Sequence, residues 1–280
     1  MRGRTPYGFD TEPIVMDGIK TKKLVENGAK ELILVAQETT VYGIDLYGEK
    51  MLPELLRKLC TIEGLVWIRL LYCYPEEITE ELIQVMKEQP KVCHYLDLPI
   101  QHANDEILRR MGRRTSKQEL IDKIDFLRSE MPDITLRTTL ITGFPGETKE
   151  QHKELLEFIN DMEFDRLGVF TYSPEEGTPA AAMEHQIDEE VKLDRQAELM
   201  ELQQDISAEL GERRIGQELL VMIEGKVADE DAYVGRSQAD APGVDGYVFV
   251  NTPETLVSGD FVRVKITGAL EYDLIGEISQ

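Results

Sequence analysis

Five short apolar runs recur through the first two-thirds of the chain, at residues 32–36, 65–71, 95–100, 134–141 and 167–172. Their starts lie 33, 30, 39 and 33 residues apart. The stretches between them carry helical periodicity and helix-start signals, such as Ser116 ahead of Glu119 and Leu120, or Gly146, Glu147 and Thr148 ahead of Leu155, Leu156 and Ile159. A strand and its crossover helix in about thirty residues or more make a parallel pair, and near-continuous apolar strands need cover on both faces. The expected fold class is therefore α/β, either a (β/α) barrel or a doubly wound sheet. Five strands cannot close a standard eight-stranded barrel, so a partial barrel lacking its first strand is expected, entered by a loop over 1–13 and then directly by a helix. The sheet edge left open would be an association hazard.

Polar residues mark where the chemistry of such a fold sits. Gln37 with Glu38, Tyr72 with Tyr74, Gln101 with His102, Thr142 with Gly143, and Tyr172 with Ser173 each fall at the C-terminal end of an expected strand. That rim carries the active site in α/β barrels. After the fifth strand, residues 188–210 read as an acidic connector helix with Leu199, Leu202, Ile206 and Leu210 on one face. Residues 212–280 hold 8 of the 21 glycines and short alternating runs at 219–223, 247–250 and 261–266, the pattern of a small antiparallel β-barrel. Two domains are expected, 1–211 and 212–280.

Charge limits the partners. The chain carries 31 basic and 54 acidic residues, a net charge of -23, which opposes a generic nucleic-acid binder. The C-terminal region 212–280, with 6 basic and 13 acidic residues, stands at -7. The longest apolar runs fall far short of the roughly 20 residues that span a bilayer, so no membrane partner is expected. No apolar stretch follows Arg2 and Arg4 as a secretory signal would require, and the expected location is cytoplasmic. Cys60, Cys73 and Cys93 lie 13 and 20 residues apart, without chelating spacing; buried apolar roles are expected and no metal motif is present.

Three segments carry the sharper chemistry. In residues 137–148 a strand runs into the glycine turn of Gly143 and Gly146 and then a helix start, where free backbone N–H groups can receive an anionic group. A glycine pair alone only turns the chain, but Arg137 in an apolar strand requires a carboxylate partner once buried, and a ligand would serve. His102, next to Gln101, is a ligand, a base or a hydrogen-bonded rim residue. The run Arg109, Arg110, Arg113, Arg114 and Lys117 is either a solvated helix end or an electrostatic lip for an acidic substrate group, with Arg109, Arg113 and Arg114 as its residues.

These segments together resemble one family. Arg2, Gly3 and Arg4, the stretch 34–40 with Gln37 and Glu38, the stretch 42–48, the strand 95–102, the segment 137–148 and the stretch 172–178 are similar to the RimO family of radical S-adenosylmethionine (SAM) enzymes. Residues 233–236, 240–242 and 259–261 resemble that family's TRAM domain. The resemblance implies a partial radical-SAM barrel followed by an OB-like TRAM barrel, and methylthiolation of an aspartate of small-subunit ribosomal protein S-twelve. It implies SAM and [4Fe-4S] clusters as cofactors: one cluster cleaves SAM to a radical that takes hydrogen from the aspartate β-carbon, and the other delivers a methylated sulfur. By resemblance, Gln37 and Glu38 lie near the methionine end of SAM, Arg137 on its carboxylate, Gln101 and His102 along the ribose, and Tyr172 with Gly143 near adenine.

The departures count equally. The family's C-x-x-x-C-x-x-C loop and the three cysteines of its auxiliary cluster would lie upstream of Arg2, and residues 5–16 leave the family pattern. Without thiolates at suitable spacing a cluster is not held, so the expectation is an N-terminally truncated chain, inactive alone. A tRNA methylthiotransferase shares the domain plan, and a non-catalytic substrate-binding remnant is the other alternative. The charge of the terminal region argues for a basic protein client and against direct RNA binding by the TRAM domain. A continuous positive stripe on the folded terminal region would reverse that choice.

Overall fold

The computed structural model describes residues 18–279; Arg2, Gly3, Arg4, the loop expected over 1–13 and the divergent residues 5–16 lie outside them. Helix α1 (Gly18–Glu26) leads into β1 (Glu31–Leu34), and α2 (Ile44–Tyr47) and α3 (Leu52–Cys60) follow. Then β2 (Trp67–Leu70), α4 (Glu80–Glu88), β3 (Val92–Gln101), α5 (Asp105–Arg110), α6 (Lys117–Glu130), β4 (Thr135–Thr142), α7 (Lys149–Met162) and β5 (Arg166–Thr171) alternate. The five strands form one parallel sheet in chain order, β1-β2-β3-β4-β5. Full capping boxes start α6 at Ser116 and Glu119, and α7 at Thr148 and Gln151, where the sequence signals put them. Strand β3 starts earlier than its apolar run, because the ring of His94 is tied to Asp133 at 2.8 Å and a polar residue is thereby accommodated in the ladder.

Strand alternation gives the sheet two unlike faces. One face, with Ile68, Leu70, Leu96, Leu98, Leu136 and Leu140, packs against the apolar faces of α3, α4, α6 and α7 in a single core. The other carries Glu31, Trp67, Arg69, Tyr95, Asp97, Arg137 and Arg166, and its cover is not a helical layer. The cover is the small C-terminal barrel. Its strands β6 (Glu218–Lys226), β7 (Ala232–Ser237), β8 (Val248–Asn251), β9 (Phe261–Ala269) and β10 (Leu274–Ile278) close in the order β10-β8-β7-β6-β9 around Val221, Ile223, Val248, Val250, Val264 and Ile266. The small antiparallel barrel is as expected, with one parallel pair, β8 and β10. An odd number of strands cannot alternate direction around a closed ring, so one parallel pair is unavoidable.

Helix α8 (Glu189–Glu212) does more than connect. Leu199 and Ile206 are buried against the main core, with Leu202 and Leu210 half-buried beside them. Its polar side chains serve the edge strand: Gln196 donates to the Val169 carbonyl at 2.6 Å, Gln203 to Phe164 at 2.8 Å and Lys192 to Tyr172 at 2.9 Å. At this open sheet edge, side chains thus occupy one carbonyl of β5 and one on either side of it. At the opposite edge, β1 has no strand partner beyond β2 among the described residues. Among the described residues no helix is long and apolar enough to cross a membrane.

Candidate functional site

At the C-terminal rim, two adjacent strands end in residues that avoid ordinary backbone conformations. Tyr72 after β2 has φ 57° and Gln101 at the end of β3 has φ 73°. Left-handed backbone at non-glycine residues costs about 1–3 kcal/mol each and persists only where neighbours impose it. At Tyr72 the neighbours are clear: its N–H donates to Asp97 Oδ2 at 3.1 Å, and its carbonyl accepts the Thr39 N–H at 2.9 Å. The Tyr74 N–H then donates to Glu38 Oε1 at 3.3 Å, and Glu38 also accepts from the Thr40 amide and hydroxyl. The loop after β1 thus hangs on the loop after β2.

Several polar atoms on this rim are buried without a partner: Glu38 Oε2, Gln101 Oε1, Thr142 Oγ1 and Tyr172 OH. Buried polar groups in folded proteins are ordinarily satisfied, so these unpaired atoms make the strand ends the candidate site. Tyr172 packs edge-on against Phe144 at 5.3 Å, and Lys192 lies under its ring. Gly143, at φ 71°, is pressed against the Lys192 side chain, where any Cβ would overlap it. Glu38, Gln101, Gly143 and Tyr172 therefore line one rim; Gln37 is exposed and makes no polar contact there among the described residues.

Three expectations about anion binding meet different outcomes. The N–H groups of Gly143 and Phe144, expected to be free, both donate to Glu147 Oε2, at 2.5 and 3.1 Å. The chain supplies the carboxylate itself, four residues after Gly143, and Arg195 of α8 holds its other oxygen at 3.0 Å. Burial raises the Glu147 pKa against the opposing pull of Arg195 and those two amides. Arg137 likewise has protein carboxylates as partners, with Asp97 Oδ1 at 2.7 Å and Asp245 Oδ1 at 3.4 Å. Burial works against its charge, yet Asp97 and Asp245 more than offset that and its pKa lies above the ordinary value. The arginine lip divides: Arg113 turns inward, donating to the Pro99 carbonyl at 2.9 Å and stacking on Tyr74, whereas Arg109 and Arg114 are exposed.

His102 parts from Gln101. It is fully buried, its Nδ1 accepts the Asn104 N–H at 2.9 Å, and its Nε2 has no partner. Burial, with His152 and Arg195 nearby, brings its pKa down to about 3, so the ring is neutral at pH 7. Its neighbours are thus on α7 and α8. Asp97 escaped the sequence reading, although a lone acid in the apolar run 95–100 is the natural complement of a lone arginine in 134–141.

The residues present do not fit an iron-sulfur cluster. Cys73 and Cys93 are buried and Cys60 half-buried; burial raises all three thiols, that of Cys93 to about 12. Among the described residues no three His, Cys, Asp or Glu side chains converge to hold a metal.

A partial parallel (β/α) barrel whose strand ends form a polar rim, with its inner face closed by a small five-stranded barrel, defines the class. The sequence profile of the radical SAM superfamily matches residues 3–159, and the chain belongs to that superfamily. The TRAM domain profile matches residues 215–278. The ribosomal protein uS12 methylthiotransferase RimO of Lachnoclostridium phytofermentans is 62% identical over 257 residues, which cover 92% of this chain and 58% of the relative. The RimO proteins of Desulfitobacterium hafniense (strain Y51) and Clostridium botulinum (strain Langeland) are 54% and 53% identical, over 93% and 92% of this chain and 58% of each relative. The chain spans under two-thirds of the length of these relatives.

Proposed function

We propose that this chain is the SAM-binding and TRAM part of a methylthiotransferase acting on an aspartate of small-subunit ribosomal protein uS12. The identity of 62% with a RimO protein over 257 residues carries the reading. SAM fits the rim: Glu38 Oε2 and Gln101 Oε1 are unpaired acceptors for an ammonium or ribose hydroxyls, and Tyr172 offers a ring and a free hydroxyl. When bound, SAM supplies a sulfonium whose carbon–sulfur bonds are activated for cleavage. Glu38 and Gln101 orient it, Gly143 leaves room for the Lys192 side chain that supports Tyr172, and Arg137 acts on the scaffold. The thiolates that would hold [4Fe-4S] clusters have no counterpart among the described residues, so no step is assigned to this chain's cysteines. We take 1–211 and 212–280 as the two domains and the cytoplasm as the location.

The charge arrangement supports a basic protein as the client. In the terminal region Arg213 faces Glu163, Arg214 faces Asp165, Arg236 faces Glu31 and Arg263 faces Glu218, at 3.1, 3.5, 2.7 and 3.3 Å. Arginines paired one by one with acids do not form the positive track that a phosphate backbone requires. The test is to interrupt the gene within the stretch that encodes this chain and weigh uS12 by mass spectrometry. Loss of the methylthio group from its aspartate is expected. Unmodified tRNA alongside an intact uS12 modification would transfer the reading to tRNA.

A further inference from the structure

Eight charged side chains meet where the small barrel closes the inner face of the sheet. Arg69, Arg137, Arg166 and Arg236 stand against Glu31, Asp97, Asp240 and Asp245, through pairs at 2.6 to 3.4 Å. Arg69–Glu31 and Arg137–Asp97 lie within the sheet, while Arg166–Asp240, Arg236–Glu31 and Arg137–Asp245 tie the sheet to the small barrel. One pair continues to the rim. Asp245, on the β7–β8 loop, has a side chain only 1% exposed; its Oδ2 accepts the Tyr95 hydroxyl at 2.7 Å and the Ala241 N–H at 2.8 Å. Its Oδ1 faces Arg137 Nε at 3.4 Å, and Arg137 Nη1 donates to Asp97 Oδ1 at 2.7 Å. The other oxygen of Asp97 takes the N–H of Tyr72, whose carbonyl anchors Thr39 beside Glu38.

We propose that Asp245 and Asp97 are positioning residues, through which the docked small barrel holds Tyr72 in its left-handed backbone and so shapes the Glu38 side of the rim. A guanidinium presents donors in a fixed fork, so a carboxylate on one side sets the orientation it offers on the other. Asp97 has two oxygens and two unlike clients, and its rotamer is fixed only when Arg137 is fixed. The small barrel is thereby part of the site's scaffold. That the shaped rim receives SAM rests on the function proposed above; the coupling to Tyr72 does not.

Amide hydrogen exchange on the full chain tests the coupling separately from any activity. In Asp245→Asn, the amide oxygen can keep the bonds from Tyr95 and Ala241 while the charge facing Arg137 is lost. Exchange at Tyr72, Thr39 and Tyr74 is expected to quicken about tenfold or more, with Tyr172, which bonds Thr142 across the rim at 2.8 Å, unchanged. Asp240→Asn likewise removes only the charge facing Arg166 and does not touch Arg137, and is expected to leave Tyr72 as it was. Should Asp245→Asn not fold, Arg137→Lys reads the same link, since one ammonium does not reproduce the fork. Unchanged exchange at Tyr72, or equal quickening in the Asp240 variant, would overturn the proposal.

Discussion

His102 shows how burial, reinforced by basic neighbours, assigns a protonation state. Its ring accepts a hydrogen bond at Nδ1 and stands in a site that penalises a second positive charge beside Arg195. The folded pKa of about 3 lies below the unfolded value near 6.5, so between these limits the unfolded chain binds a proton that the folded one refuses. Stability from this group is complete above pH 6.5 and falls as pH drops toward 3, by up to about 5 kcal/mol in all and about 2 kcal/mol by pH 5. His102→Gln removes the titration and keeps an acceptor. Urea unfolding at pH 7 and pH 5 should show a smaller loss in the variant than in the parent; equal losses would remove His102 as the cause. At this scale the sequence marked the position but not the role, because the neighbours that decide it come from α7 and α8.

Among the elements, α8 is the one whose purpose changes most between sequence and structure. Its leucine stripe predicts a helix and a buried face, and Leu199 and Ile206 fulfil that. Nothing in the stripe says that Gln196 and Gln203 will serve carbonyls in and just before a strand, 27 and 39 residues earlier, since glutamines on a helix usually face water. Gln203 is 1% exposed and donates both to Phe164 and to the Ser207 hydroxyl. Gln203→Leu fills similar volume but leaves the Phe164 carbonyl buried and unpaired, a penalty of about 1–3 kcal/mol. Chemical denaturation should record a loss of that size, whereas a neutral outcome would mean that water reaches the edge. The β/α alternation and the helix starts at Ser116 and Thr148 were legible because each rests on contacts within a few residues.

For the molecule as a whole, the decisive feature is a balanced set of charges buried between domains. Breaking one member is expensive because its partner stays behind without water. Arg69 is fully buried, paired with Glu31 at 2.7 Å and donating to the Gln238 carbonyl at 2.7 Å. Arg69→Met leaves Glu31 with Arg236 as its remaining counter-ion and the Gln238 carbonyl unpaired, and is expected to cost about 1–3 kcal/mol. Trp67, the one tryptophan, packs edge-on against Phe261 across the same boundary at 4.8 Å, so its emission reports the docking directly. A red-shifted Trp67 spectrum and an earlier urea midpoint are the expected readings. An unchanged midpoint would mean that the domains hold together without these pairs.

The order of strands and helices, the polar strand ends and the glycine-rich second domain are properties of local pattern, and the sequence alone determined them. Apolar periodicity and capping act over one or two turns of chain, within reach of such a reading. What Arg137 pairs with, what fills the Gly143 turn, where His102 faces and what covers the inner face of the sheet were decided only in the tertiary structure. A buried charge requires a partner but does not specify one. Asp97 and Asp245, 40 and 108 residues from Arg137 along the chain, became its partners only when β3 came beside β4 and the small barrel closed over both.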